Sequence, residues 1–315
     1  MDHSLRDLVY RHPGRLDAQA VLALMARCET ADSGASDSDL DDLLFDWDQM
    51  DLNQDAWLVL STAGEPVGYA AVIHWGQESL RLDFCVDPAW RGTGLEPALI
   101  NRGDARAAEL AVPNWTLRTY ISASNIHDRA ALEDVGFRPN RYHMQMRIDV
   151  QLPPAAPTWP AGVSVRTALP GKDDRTVYHL IQEAFDRPGR TPQPFEDWQR
   201  FMLRADLFRP DLWFLAMAGD ELVGACLAYP YAEQGWVRQL GVSPAWRRQG
   251  LGRALLLHAF SEFHRRGFGQ VGLAVAADNP QAVAFYQQIG MICLRRYDEY
   301  SRAVRTAPEA LTLAE

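Results

Sequence analysis

The sequence predicts an α/β (α+β) fold built as two tandem copies of one domain, each a mixed twisted sheet flanked by helices. Three observations carry this prediction. The segment VDPAWRGTGLEPALI at 86–100 returns as VSPAWRRQGLGRALL at 242–256, with nine of fifteen positions identical. Strand and helix periodicities alternate along both halves. The Pro- and Ala-rich stretch QLPPAAPTWPAG at 151–162 lies between them, and its prolines favour extended chain.

The repeat holds beyond that one segment. The same offset of 156 carries Val67-Gly68 onto Val223-Gly224. SNIHDRAALEDVGF at 124–137 aligns with DNPQAVAFYQQIGM at 278–291, so that Asn125 meets Asn279 and Gly136 meets Gly290. Blocks in one order at nearly constant offset mark a duplication. The expected boundaries are a first domain at 1–150, a linker at 151–162, a second domain at 163–305 and a frayed tail at 306–315.

The elements of the second copy follow in order. GVSVRTA alternates as a strand, and TVYHLIQEAFD and FEDWQRFMLRA place apolar residues at helical spacing. LWFLAMA, LVGACLAYPY and WVRQLGV read as strands, with GDE as the turn between the first two. GLGRALLLHAFSEFHRRG is a helix stopped at Gly267, and QVGLAVA is a further strand. NPQAVAFYQQIG is a short helix with Pro280 in its first turn and Gly290 as its stop. CLRRYDEYSRAV closes the copy as a strand. In the first copy, the acidic run after Asp37 reads as an amphipathic helix with Leu40, Leu43, Leu44 and Trp47 facing inward.

Composition narrows the function. The 315 residues are 47% hydrophobic and 23% charged, with a formal net charge of -10. The part up to Ala156 carries -11 and the rest +1, so an anionic ligand is expected to prefer the second half. A phosphate-backbone binder needs a basic surface, so no nucleic-acid partner is expected. No run of 18 apolar residues offers a membrane span, and the first residues lack a secretory signal. Cys28, Cys85, Cys226 and Cys293 form no CxxC pair, and no HExxH spacing occurs, so no metal is expected and the cytoplasm is the expected compartment. No Gly-x-Ser-x-Gly elbow points to hydrolysis.

The segment Arg247-Arg248-Gln249-Gly250-Leu251-Gly252-Arg253 bears the chemistry. It joins a strand to a long helix, whose first N–H groups converge on one spot under a favourable dipole. Glycines admit a ligand to the backbone, and the arginines add charge. A pyrophosphate suits such a loop. A Walker loop would need GK[ST], and a dinucleotide fingerprint would need glycine where Leu255 stands.

Arg247, Gly250 and Gly252 resemble the R/Q-x-x-G-x-G/A acetyl-CoA signature of the GNAT superfamily of N-acetyltransferases. Leu240-Gly241-Val242 before the loop and Asn279, Tyr286 and Gly290 after it stand where that family would have them. The tandem arrangement and length resemble the two-domain mycothiol synthase-like acetyltransferases. The resemblance implies acetyl-CoA as cosubstrate and a primary amine, on a small molecule or a peptide, as acceptor. It implies that the Leu240 N–H polarises the thioester carbonyl and that Val242 pairs with the pantetheine arm. The N–H groups from Arg248 to Arg253 would hold the pyrophosphate, Asn279 would contact the pantetheine or position its helix, and Tyr286 would protonate the departing sulfur.

Mycothiol synthase-like domains carry a glutamate base four residues before the Leu240 position; here that residue is Trp236, which takes no proton. Glu233 could act through water, and Glu183, His179 and Asp186 lie near the acceptor side. Arg238, reckoned to share a strand face with Trp236 and Leu240, has two readings: a contact for an acidic acceptor, or a sheet-edge arginine paired with a carboxylate. In the first copy Glu96 and Pro97 replace the second glycine and its neighbour, and Leu132 stands at the tyrosine position, so that copy is expected to be degenerate. An acyl-CoA sensor without turnover is the alternative to an enzyme. Two copies in one chain fit a monomer or a homodimer.

Overall fold

A computed structural model describes residues 5–75, 78–112, 114–186, 192–204, 207–231 and 234–305. The elements in chain order are β1 (Val9–Arg11), α1 (Ala18–Ser33), α2 (Leu40–Trp47), α3 (Leu52–Asp55), β2 (Ala56–Leu60), β3 (Pro66–His74), β4 (Ser79–Val86), α4 (Leu95–Leu110), β5 (Thr116–Ser122) and α5 (Ile126–Asp134). There follow β6 (Arg138–Asp149), β7 (Val163–Thr167), α6 (Asp174–Ala184), α7 (Phe195–Met202), β8 (Trp213–Ala218), β9 (Glu221–Pro230), β10 (Gly235–Val242), α8 (Leu251–Arg265), β11 (Gln270–Ala276), α9 (Pro280–Gln288) and β12 (Ile292–Ala303). Each element expected in the second copy is present, with ends shifted by a few residues, as fraying helix ends usually are. No helix among the described residues is long and apolar enough to cross a membrane.

Two compact units form. One holds the described chain up to His143 together with the described residues from Arg295 onward; the other is Met144–Leu294. In the first unit the strand order is β1-β2-β3-β4-β5-β12. All neighbours are antiparallel except β4 and β5. In the second the order is β7-β8-β9-β10-β11, with the later part of β6 beside β11. Again the fourth and fifth strands are the parallel pair.

The units therefore differ from a plain division at 151–162. The expected last strand of the second copy, β12, pairs with β5 in the first unit. The reason lies in what β12 carries. Tyr300 joins the first unit's apolar core. Glu299, 3% exposed, accepts from Arg118, Asn140 and His143. These are all residues of the first unit, and a buried carboxylate needs such partners. Conversely Val150 is buried in the second unit's core, and its carbonyl bonds the His264 ring at 2.8 Å. The stretch 151–162 has neither helix nor strand, and Trp159 packs edge-on against His258.

Each sheet is covered on both faces. In the second unit, α8 buries Leu251, Leu255, Phe260 and Phe263 on one face, while Val177, Ile181, Trp198 and Met202 of α6 and α7 cover the other. In the first unit α4 and α1 take those places. The acidic α2 starts at an Asp39 cap that accepts from the Asp41 and Asp42 N–H groups, and it buries Leu43 and Trp47 as its periodicity predicts.

Candidate active site

Strand β10 is where the second unit departs from simple pleating. Its register on β9 slips between Val237 and Gln239, leaving Arg238 as the extra residue of a β-bulge. A bulge changes which side chains face which way. Leu240 and Val242 stay on the α8 side with Val237. Gln239 points to the α7 side, where its Oε1 accepts from Trp198 Nε1 at 3.1 Å. Arg238 lies over the Phe201 ring of α7 at 3.8 Å. The face shared by Arg238 and Leu240 in a simple alternation is thus divided. The apolar spacing carries the signal: Val237 to Leu240 is three residues where a flat strand has two. In β4 the run Leu80, Leu82, Phe84 and Val86 keeps strict alternation, and its register on β3 is continuous.

The parallel partner then falls away. β10 pairs with β11 over Gly235–Val237 only, so the segment Arg238–Val242 has a ladder on its β9 side alone. An open strand edge of this kind can hydrogen-bond an extended ligand arm. Leu240, Gly241 and Val242 lie along it, and Gly241 is close-packed, since an added Cβ would sit 2.8 Å from Ile181 Cδ1.

Beyond β10 a short 3-10 turn, Pro244–Trp246, leads into the loop. Arg248 adopts φ 61, a left-handed conformation that L-residues enter at a cost of about 1 kcal/mol. Gly250 follows at φ 85 as the cap of α8. The first backbone bond into the helix runs from the Ala254 N–H to the Gly250 carbonyl at 3.0 Å. The N–H groups of Leu251, Gly252 and Arg253 therefore precede any acceptor within the helix. Among the described residues nothing lies within 4 Å of a Cβ built on Gly250, and one built on Gly252 makes only ordinary contacts, Phe285 at 3.5 Å and Val242 at 3.7 Å. The open surface at these glycines, with exposed Arg248 and Arg253 beside it, fits a pyrophosphate.

Not every expected ligand residue turns to that surface. Arg247 is a clamp: its Nε and a terminal nitrogen donate to the Val242 and Ala184 carbonyls at 3.3 and 3.1 Å. Gln249 turns back to the Ala245 carbonyl at 2.9 Å. Asn279 caps α9 by accepting from the Ala282 N–H at 3.0 Å, which is the helix-positioning alternative for that residue.

Tyr286 sits on α9, partly buried against the α8-side core beside Phe285. Burial, with a smaller push from the nearby Cys226 thiol, raises its phenol to about 12. Cys226 is the cross-strand partner of Leu240, so Tyr286 and the Leu240 position belong to one end of the open strand. Trp236 lies on the opposite face over Gly272, where an added Cβ would come within 2.7 Å of its ring. Glu183 and His179 are exposed on α6, and Asp186 is exposed just after it. Glu183 has no hydrogen bond to any of the other candidates among the described residues. Glu233 lies outside the described residues.

The first unit keeps the scaffold and loses the opening. Arg91 repeats the clamp of Arg247, reaching the Val86 and Cys28 carbonyls, and adds an ion pair to Asp32 at 2.6 Å. Glu96 turns inward, is 2% exposed, and accepts from the Gly92 N–H at 2.8 Å. Leu132 is fully buried core.

Comparison with known proteins gives the family. Residues 175–291 match the model of the Acetyltransferase (GNAT) family. A mycothiol acetyltransferase of Streptomyces scabiei (strain 87.22) is 30% identical over 243 residues, 75% of this chain and 76% of that one. Another, from Catenulispora acidiphila, is 29% identical over 313 residues, 90% of this chain and 94% of the relative. A crystal structure of a GCN5-related N-acetyltransferase from Sphaerobacter thermophilus superposes with a TM-score of 0.83 and 35% identity, covering 96% of this chain and 97% of that one. A tandem GNAT protein from the clavulanic acid biosynthesis pathway shares the fold, with a TM-score of 0.75 at 18% identity over 96% of this chain and 100% of that one. Likeness on this scale extends well past one loop, and the chain belongs to the acetyltransferase (GNAT) family as an N-acetyltransferase that draws its acetyl group from acetyl-CoA.

Proposed function

We propose that transfer takes place in the second unit, to a primary amine, and that the first unit is a non-binding structural copy. One contrast carries this reading: the loop of the second unit is open at Gly252, whereas the matching position of the first is filled by the buried Glu96 carboxylate. The bulge of β10, without counterpart in the continuous register of β4 on β3, supports it.

Acetyl-CoA supplies an activated thioester carbonyl. The N–H groups at the start of α8, with Arg248 and Arg253, hold the anionic end of the cosubstrate. The open edge of β10 around Leu240 and Val242 aligns its arm. Tyr286 keeps its proton through neutral pH, which suits a group that donates to a leaving sulfur. Arg247 and Asn279 position the loop and α9. Trp236 takes the place expected for a carboxylate base, so the amine sheds its proton to solvent or through a water. The relatives named mycothiol acetyltransferase support an amino-sugar conjugate as one form of the acceptor. The Trp236 position separates this chain from the pattern that the family resemblance implies for such enzymes.

The test is calorimetric titration of the full chain with acetyl-CoA, followed by free-thiol release across an amine panel. One site per chain, with release that depends on Tyr286, is the expected result. Two sites would overturn the assignment of the first unit. Binding without release would favour the sensor.

A further inference from the structure

Among the described residues, the bulge gives β10 a cation without a counter-ion. Arg238 is half-buried, and its guanidinium stacks on Phe201 at 3.8 Å with Tyr229 at 5.9 Å. Among the described residues its one hydrogen bond is a long donation to Tyr231 Oη at 3.4 Å. Among the described residues no carboxylate lies within ion-pair distance of it. Arg81 on β4 shows the contrast: it is held by both Asp46 and Asp83, at 2.5 and 2.7 Å. Of the two readings of Arg238, this arrangement favours the contact for an acidic acceptor.

Holding a charge half out of water without a counter-ion costs free energy. Stacking on an aromatic ring recovers part of that cost and fixes the plane of the guanidinium. The in-plane N–H edge then remains able to take a carboxylate or phosphate side-on. Placement matters as well. Arg238 is two residues from Leu240, roughly 6–7 Å along the strand. It projects to the α7 face, away from the α8-side core where Leu240 and Val242 pack. The neighbouring Gln239 is pinned on the same face by Trp198. The acceptor face thus presents a fixed cation a few bonds' length from the point of transfer.

We infer that Arg238 selects an acceptor bearing an anionic group, a carboxylate or a phosphate, a few bonds from its reactive amine. This rests on the transfer reading above and names the substrate class for it.

The test compares matched amines in the full-length enzyme by acetyl-CoA-dependent thiol release. One pair is an α-amino acid and its amide; the other is glucosamine 6-phosphate and glucosamine. The expected result is a preference of at least tenfold in kcat/KM for the anionic member of one pair, and which pair responds tells carboxylate from phosphate. Arg238→Met should abolish the preference by raising the KM of the anionic member at least tenfold. The neutral member and the KM for acetyl-CoA should stay within about twofold. Arg238→Lys, which keeps the charge without the fork, should retain part of the preference and serves as the reading if the Met variant fails to fold. Turnover with no anionic preference, or an equal loss on both members in Arg238→Met, overturns the inference and leaves the transfer reading standing. Absence of release with every amine removes both.

Discussion

The Glu96 carboxylate accepts a hydrogen bond from the Gly92 N–H at 2.8 Å, closing the first unit's loop on itself. Glu96 and Gly252 stand at matching positions of the repeat, so one copy carries its own anion where the other leaves its backbone bare. This makes the loop's occupancy testable by exchange.

Gly252→Glu should fold, because a Cβ at that position meets only ordinary contacts. It should weaken acetyl-CoA binding at least tenfold, about 1.4 kcal/mol, by calorimetry. Gly252→Ala, with the Cβ alone, should bind within a fewfold of the parent. Tight binding by the glutamate variant would show that the pyrophosphate lies elsewhere.

Tyr286→Phe should lower kcat for thiol release by about 10²-fold, the lower end of what general acid catalysis contributes, and leave the KM for acetyl-CoA nearly unchanged. Because the phenol titrates at about 12, the parent should show no alkaline loss of kcat from this group below pH 10. A parent-like kcat in the Phe variant would exclude Tyr286 as the acid.

Asp128 gives a pH signature of the opposite kind from most carboxylates. Burial, reinforced by the charges of Glu96 and Asp32 against that of Arg91, raises it to about 7, and among the described residues one of its oxygens has no hydrogen-bond partner. The native state therefore binds this proton more tightly than the unfolded chain, so the group's contribution to stability falls as pH rises from about 4 to 7. Asp128→Asn should raise stability at pH 8 by about 1–3 kcal/mol and have little effect at pH 4, by denaturant unfolding. A loss at pH 8 would reverse the sign and the argument.

Glu299 runs the other way. Burial pushes its carboxyl up, but hydrogen bonds from His143 and Asn140 and the charge of Arg118 prevail and hold it at about 2. Its stabilising share is present above about pH 4.5 and is lost as pH falls towards 2. Glu299→Gln should cost about 2–3 kcal/mol at neutral pH and progressively less below pH 4. A cost independent of pH would mean that shape, rather than charge, matters at this position.

Much of this is legible in the sequence. The duplication, the strand and helix order, and the Gly250 and Gly252 loop all follow from local pattern and turn chemistry. The sequence leaves two readings of Asn279 open, and its bond from the Ala282 N–H fits the helix-positioning one. The bulge at Arg238 left a trace in the broken alternation between Val237 and Leu240, but no glycine marks it, and simple parity put Arg238 and Leu240 on one face. Arg247 has the same charge whether it clamps Val242 or meets a phosphate, so its residue type could not tell the two apart. The pairing of β12 with β5 is set by contacts such as Arg118 with Glu299, 181 positions apart, for which no local pattern exists.

That pairing has a consequence for how the protein comes into being. Residues 1–143 are synthesised first, yet their sheet lacks its final strand until Ala303 has left the ribosome. Until then β5 presents an unpaired edge, a template for wrong partners. The nascent chain must wait for β12, and a gene cut after residue 150 would encode a fragment with that edge permanently bare. Supplying 292–305 as a separate peptide should rescue such a fragment, in the manner of a complemented split protein.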